Sequence, residues 1–121
     1  MDLMELFKAK AKKNLKKIVL PEGTEARTIE AATIITRENY ANVVLLGDSE
    51  EILKQGKILG CDLSGIEIIN PKQSDKLEKY SEIFYDLRKN KGITKEQSKE
   101  ILQDYMYYGT MMIHQGDVDG L

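Results

Sequence analysis

The chain has 121 residues, 41% of them hydrophobic, and its 18 basic and 20 acidic side chains leave a formal net charge of -2. That length fits one domain with a modest core, and the slightly acidic balance argues against a sequence-independent nucleic-acid binder, which depends on a basic surface. One cysteine, Cys61, cannot make an internal disulfide, and no apolar run approaches the roughly 18 residues needed to cross a bilayer. The expectation is a cytoplasmic protein of a reducing compartment, with neither nucleic acid nor a membrane as partner.

Met1 to Lys17 is amphipathic and lysine-rich, but it contains Asp2 and Glu5 and no arginine. It therefore reads as an N-terminal helix and not as a transit peptide. Lys17-Ile18-Val19-Leu20-Pro21, Asn42-Val43-Val44-Leu45-Leu46-Gly47 and Ile66-Glu67-Ile68-Ile69-Asn70-Pro71 are short apolar runs bounded by proline or glycine, which predicts three buried strands. A helix start follows each. Thr24 is the expected N-cap of a helix to about Asn39, Ser49 with Glu50 and Glu51 opens the next, and Ser74 opens a third. In that third helix Leu77, Tyr80, Phe84 and Leu87 form one apolar stripe. Strand alternating with helix predicts an α/β domain with a largely parallel sheet, arranged as three α/β/α layers, because parallel neighbours need crossover helices.

Thr94-Lys95-Glu96-Gln97 is a capping box, and Asp104 caps a further helix through Tyr105, Tyr108, Met112 and Ile113, with Gly116 as its stop. Val118-Asp119-Gly120-Leu121 then reads as the start of another strand. Residues 1–121 are accordingly expected to be a single α/β domain that is incomplete, since a strand cut at its first residues leaves unpaired backbone.

The turn Leu20-Pro21-Glu22-Gly23-Thr24 joins the carboxyl end of a strand to a helix N-terminus, the place where open α/β sheets bind ligands. Free N–H groups and a partial positive charge suit an anion there, Gly23 permits close backbone approach, and Arg27 in the first turn adds a full charge. An ion pair of Arg27 with Glu22 or Glu30 is the competing reading. Arg88 lies about 20° around its helix from Leu77, beside the buried stripe. It either snorkels out of the core or reaches into a cleft to grip a phosphate, for which its forked guanidinium is suited. Lys89 and Lys91 add charge nearby.

Other chemistry is thin. His114 is the only histidine and has no partner at ligand spacing, so no metal site is expected. Cys61 has no basic neighbour to activate it. Tyr105, Tyr107 and Tyr108 with Met106, Met111 and Met112 read as core or subunit interface. There is neither a P-loop nor a G-x-G-x-x-G.

Several stretches are familiar. Ile18-Val19-Leu20-Pro21-Glu22-Gly23-Thr24-Glu25-Ala26-Arg27, Ala41-Asn42-Val43-Val44-Leu45-Leu46-Gly47-Asp48 and Phe84-Tyr85-Asp86-Leu87-Arg88-Lys89 resemble segments of the phosphate acetyltransferases. So do Tyr108-Gly109-Thr110-Met111-Met112 and Gly116-Asp117-Val118-Asp119-Gly120-Leu121, and the resemblance runs from end to end in the family's order. It implies the N-terminal part of a two-domain, isocitrate-dehydrogenase-like transferase that interconverts acetyl-CoA plus phosphate with CoA plus acetyl phosphate in acetate metabolism. CoA, phosphate and acetyl phosphate are then substrates, no separate cofactor is expected, and the full-length enzyme is expected to be a homodimer. The resemblance implicates Arg88 in binding CoA or its phosphates, Arg27 as a second candidate, and Gly23 and Thr24 with the same turn. It places the thiol-deprotonating aspartate and the charge-stabilising serine beyond residue 121, so no residue here is named catalytic and the chain alone is expected to be inactive. Phosphate butyryltransferases share this architecture. The alternatives from other classes are a free-standing small-molecule-binding α/β module and an oligomerisation piece.

Overall fold

The three β-branched runs form the strands expected of them. A computed structural model describes residues 15–121, so the helix expected over Met1 to Lys17 falls almost wholly outside the described residues. Strands β1 (Lys16–Leu20), β2 (Ala41–Leu46) and β3 (Glu67–Ile69) lie side by side in that order, all parallel. Their register sets Val19 opposite Val44, Leu20 opposite Leu45 and Leu46 opposite Ile69. Because side chains alternate along a strand, Val19, Val44 and Leu46 point to one face and Val43 and Leu45 to the other. Both faces are buried, which is why these strands are continuous apolar runs.

Helices α1 (Ala26–Arg37) and α2 (Ser49–Leu59) cover the Val43 and Leu45 face, contributing Ile29, Ala32 and Ile52 to its core. Helices α3 (Leu77–Arg88), α4 (Lys95–Ile101) and α5 (Tyr105–His114) belong to the opposite layer, where Leu77, Tyr80, Phe84, Tyr108, Met111 and Met112 pack on Val19, Val44 and Leu46. The three-layer α/β/α arrangement is thus the observed one.

Helix starts differ from the sequence reading by a residue or more. The N-cap of α1 is Glu25, not Thr24, and its side chain makes no capping bond. Asp48, not Ser49, caps α2, because its carboxylate reaches the Glu51 N–H at 3.0 Å. Ser74 does not open α3: it closes a single 3₁₀ turn, Pro71–Gln73, and Lys76 occupies the cap position of α3. Leu87 is 55% exposed and falls outside the buried stripe, which runs instead through Ser81. Leu87 instead lines, with Met106 and Tyr107, an open groove between α3 and α5. The capping box at Thr94 and the Asp104 cap are present as expected. Beyond α5, Gly116 turns the chain at φ 74°, and Gly120 forms a parallel bridge with Ile18, so the segment read as a further strand begins to pair with β1.

Gly23 is the tightest point of the fold: a Cβ placed on it would lie 2.4 Å from the Leu46 carbonyl oxygen and 3.0 Å from Ile52 Cδ1. A backbone atom cannot move aside as a side chain can, so Gly23→Ala is expected to destabilise the protein by about 3 kcal/mol or more. Urea unfolding of the variant beside the parent checks this, and equal midpoints would refute the steric account.

Candidate functional site at the carboxyl end of the sheet

Gly23 donates its N–H to the Leu46 carbonyl at 3.0 Å, and Gly47 donates in turn to the Ile69 carbonyl at 3.0 Å. These two bonds tie the turn after β1 to the end of β2, and the turn after β2 to the end of β3. The close approach expected of Gly23 is therefore made to the neighbouring strand, and its N–H is not free for an anion. Thr24 is half-buried, with its methyl beside Gly47. What the turn does present is the uncapped N-terminus of α1, whose first-turn N–H groups carry a partial positive charge. Arg27 stands exposed in that first turn, and among the described residues it makes no ion pair with Glu22 or Glu30.

Arg88 ends α3 in a different setting. Its guanidinium lies over the Phe84 ring, 5.5 Å from the centroid, and the side chain is exposed. Phe84, Leu87, Met106, Tyr107 and His114 line with it a groove of about 280 Å³ between α3 and α5. No acidic partner engages Arg88 among the described residues. The cation–π contact with Phe84 leaves the N–H donors of Arg88 available at the edge of this open groove. Arg27 and Arg88 sit on helices packed against opposite faces of the sheet, and the groove beside Arg88 does not include Arg27.

A polar cluster that the sequence reading did not find lies at the base of α3. The Tyr80 hydroxyl donates to the Asp117 carboxylate, Lys76 Nζ stands 3.3 Å from the same group, and the hydroxyls of Ser74 and Tyr108 share a hydrogen bond. A cavity of about 630 Å³ opens beside it, lined by Lys17, Glu67, Asn70, Ser74, Lys76 and Asp117 among others. A fully buried tyrosine needs a partner for its hydroxyl, and that was the available signal. That the partner is 37 residues away is a fact of tertiary structure. Burial raises the Tyr80 and Tyr108 hydroxyl pKa values, Asp117 adding to the rise at Tyr80, while the hydrogen bond from Tyr80 and then Lys76 hold the Asp117 carboxyl below its usual range. His114 is exposed, Cys61 is partly buried at the edge of the α1–α2 core, and no group of three or more His, Cys, Asp or Glu among the described residues could hold a metal ion. The Tyr and Met cluster divides: Tyr108, Met111 and Met112 are core, whereas Met106 and Tyr107 are each 49% exposed.

A depressed carboxyl pKa contributes stability that is present above the unfolded value and lost as pH falls through the folded one. Asp117 thus predicts that the parent loses more stability than Asp117→Asn between about pH 5 and about pH 3. Urea unfolding at both pH values checks it; parallel losses in the two proteins would contradict it.

Residues 2–121 match the family described as Phosphate acetyl/butaryl transferase. The chain is 50% identical over all 121 residues to a phosphate acetyltransferase of Thermoanaerobacterium thermosaccharolyticum, of which it covers 36%. Over 112 residues, 93% of the chain, it is 43% identical to a phosphate acetyltransferase of Nitratidesulfovibrio vulgaris, covering 16% of that protein. The EutD phosphotransacetylase from Staphylococcus aureus superimposes with a TM-score of 0.83 at 37% identity, over 97% of this chain and 35% of that one. A phosphotransacetylase from Streptococcus pyogenes does so with a TM-score of 0.82 at 34% identity, over 99% of this chain and 37% of that one. The chain therefore spans about a third or less of the length of these relatives.

Proposed function

This chain belongs to the phosphate acetyl/butaryl transferase family, and from that premise we propose that it supplies one wall of an acyltransferase site that interconverts acetyl-CoA plus phosphate with CoA plus acetyl phosphate. The observation that carries the reading is identity of up to 50%, across the whole chain, to relatives named phosphate acetyltransferase. The acetyl reading is preferred to the butyryl one on the same ground, since the relatives compared bear the acetyl name.

In this reading Arg88 grips a phosphate of CoA. Its guanidinium stands over Phe84, and among the described residues it has no acidic partner that a phosphate would have to displace. Arg27 and the uncapped N-terminus of α1 form a second, weaker anion-attracting surface at the carboxyl end of the sheet, positioned by Gly23 and Thr24. No group in the chain is assigned as general base, and none is needed for binding. The substrates serve as the only small molecules of the reaction, and the complete enzyme acts as a cytoplasmic homodimer.

Two measurements test this. In the complete gene product, Arg88→Ala should raise the KM for CoA about ten- to a hundredfold, as expected for loss of a charge-assisted hydrogen bond, and Arg88→Lys should recover part of it. An unchanged KM with a markedly lower melting temperature would instead make Arg88 a packing residue. Residues 1–121 expressed alone should show no acetyl transfer from acetyl phosphate to CoA, because orientation and charge stabilisation each need groups converging from more than one wall. Near-full turnover by that piece would overturn the one-wall reading.

A further inference from the structure

The segment after α5 is tied down on both of its faces. Asp117 is tied inward to Tyr80 and Lys76. Val118 is 3% exposed in the core of the α3–α5 layer. Asp119 turns the other way and brackets Lys17: the Lys17 N–H donates to Asp119 Oδ2 at 2.7 Å, and the Asp119 N–H donates to the Lys17 carbonyl at 2.6 Å. Next, the Val19 N–H donates to the Gly120 carbonyl at 2.9 Å. Leu121 then packs over Gly109 of α5, where an added Cβ would come within 3.2 Å of Leu121 Cδ1. Two carboxylates of opposite orientation, with a buried valine between them, fix both the register and the side-chain sense of this segment, in a position where a slip of one residue would exchange its faces.

The segment runs parallel to β1, so at Leu121 the chain is directed toward the sheet end that carries the Pro21–Thr24 turn and the N-terminus of α1. We propose that Asp119, assisted by Asp117, is a positioning residue for acyl transfer: its carboxylate on the Lys17 N–H sets the register with which the chain reaches the carboxyl end of the sheet. This rests on the acyltransferase reading above. It assigns Asp119 no contact with substrate, only with backbone.

The test is steady-state kinetics of the complete gene product carrying Asp119→Ala or Asp119→Asn, with thermal unfolding of each. A misplacement of about 1 Å remote from the chemistry costs up to about 10²-fold, so Asp119→Ala should lower kcat by at least about tenfold while the KM for CoA stays within about twofold. Asp119→Asn, whose amide oxygen still accepts from the Lys17 N–H, should restore kcat to within about threefold of the parent. Parental kcat in a folded Asp119→Ala protein overturns the proposal, and so does a fall in kcat that Asn fails to rescue or that KM accompanies. If Asp119→Ala does not fold, Asp119→Glu carries the same comparison, since it keeps the charge and displaces the carboxylate by one methylene. Reduced kcat at constant KM then supports the role, and parental kcat refutes it. Absence of acetyl transfer in the unsubstituted product overturns the acyltransferase reading itself and this role with it, an outcome distinct from an active parent with unaffected variants.

Discussion

The contact between the Gly23 backbone and the Leu46 carbonyl is the constraint on which the arrangement depends. A hydrogen bond of 3.0 Å at a point where a Cβ would sit 2.4 Å from the oxygen leaves room for glycine and nothing larger. Ile52, fully buried, is the peg beneath it, with Cδ1 3.0 Å from the Cβ position of Gly23 and 3.1 Å from that of Gly47. The end of β1, the end of β2 and the second turn of α2 therefore lock together. The direction in which α1 leaves the sheet, and hence where its N-terminus presents positive charge, follows from that lock.

On the opposite face the layer is organised around two tyrosines whose rings meet at 5.1 Å with an interplanar angle of 59°. Both are fully buried, and each hydroxyl has a partner, Asp117 for Tyr80 and Ser74 for Tyr108. Burying a hydroxyl without a hydrogen bond would cost about 1–3 kcal/mol, so these pairings are conditions of the packing and not additions to it. They also connect distant pieces of chain: Asp117 precedes the segment that pairs with β1, and Ser74 stands at the approach to α3. The polar seam thus links the edge of the sheet to the helix that carries Arg88.

How much of this could be read in the sequence depends on whether the signal was local. Val43 to Leu46, apolar without interruption, gave the buried parallel strand, and the Thr94 and Gln97 pair gave a capping box, because both depend on neighbours in sequence. Asp48 and Ser49 could each cap α2 by residue type, and only the folded backbone brings the Asp48 carboxylate to the Glu51 N–H. Leu87 fits the stripe by periodicity but lines an open groove between α3 and α5, a tertiary feature its own helix does not contain. The site shows the same division. Gly23 was legible as a place of close approach, but the partner in that approach is the Leu46 carbonyl, which spends the N–H that an anion was expected to use.

Arg27 and Arg88 illustrate why the presence of a free cation says less than its order. Both lack an acidic partner among the described residues, and exposed ion pairs are worth so little, about 0–1 kcal/mol, that this alone separates them from no surface lysine. Arg88 differs because its guanidinium has a cation–π contact with Phe84, which meets Tyr107 edge-on at 5.9 Å. A side chain that is ordered before its ligand arrives gives up less rotamer freedom on binding, of the order of 1 kcal/mol for a long side chain. Arg27 has no aromatic contact of that kind among the described residues and adds its charge to the field of the α1 N-terminus. The aromatic side chains that order Arg88 also build the apolar groove beside it, so phosphate grip and apolar contact come from the same few residues of α3 and α5.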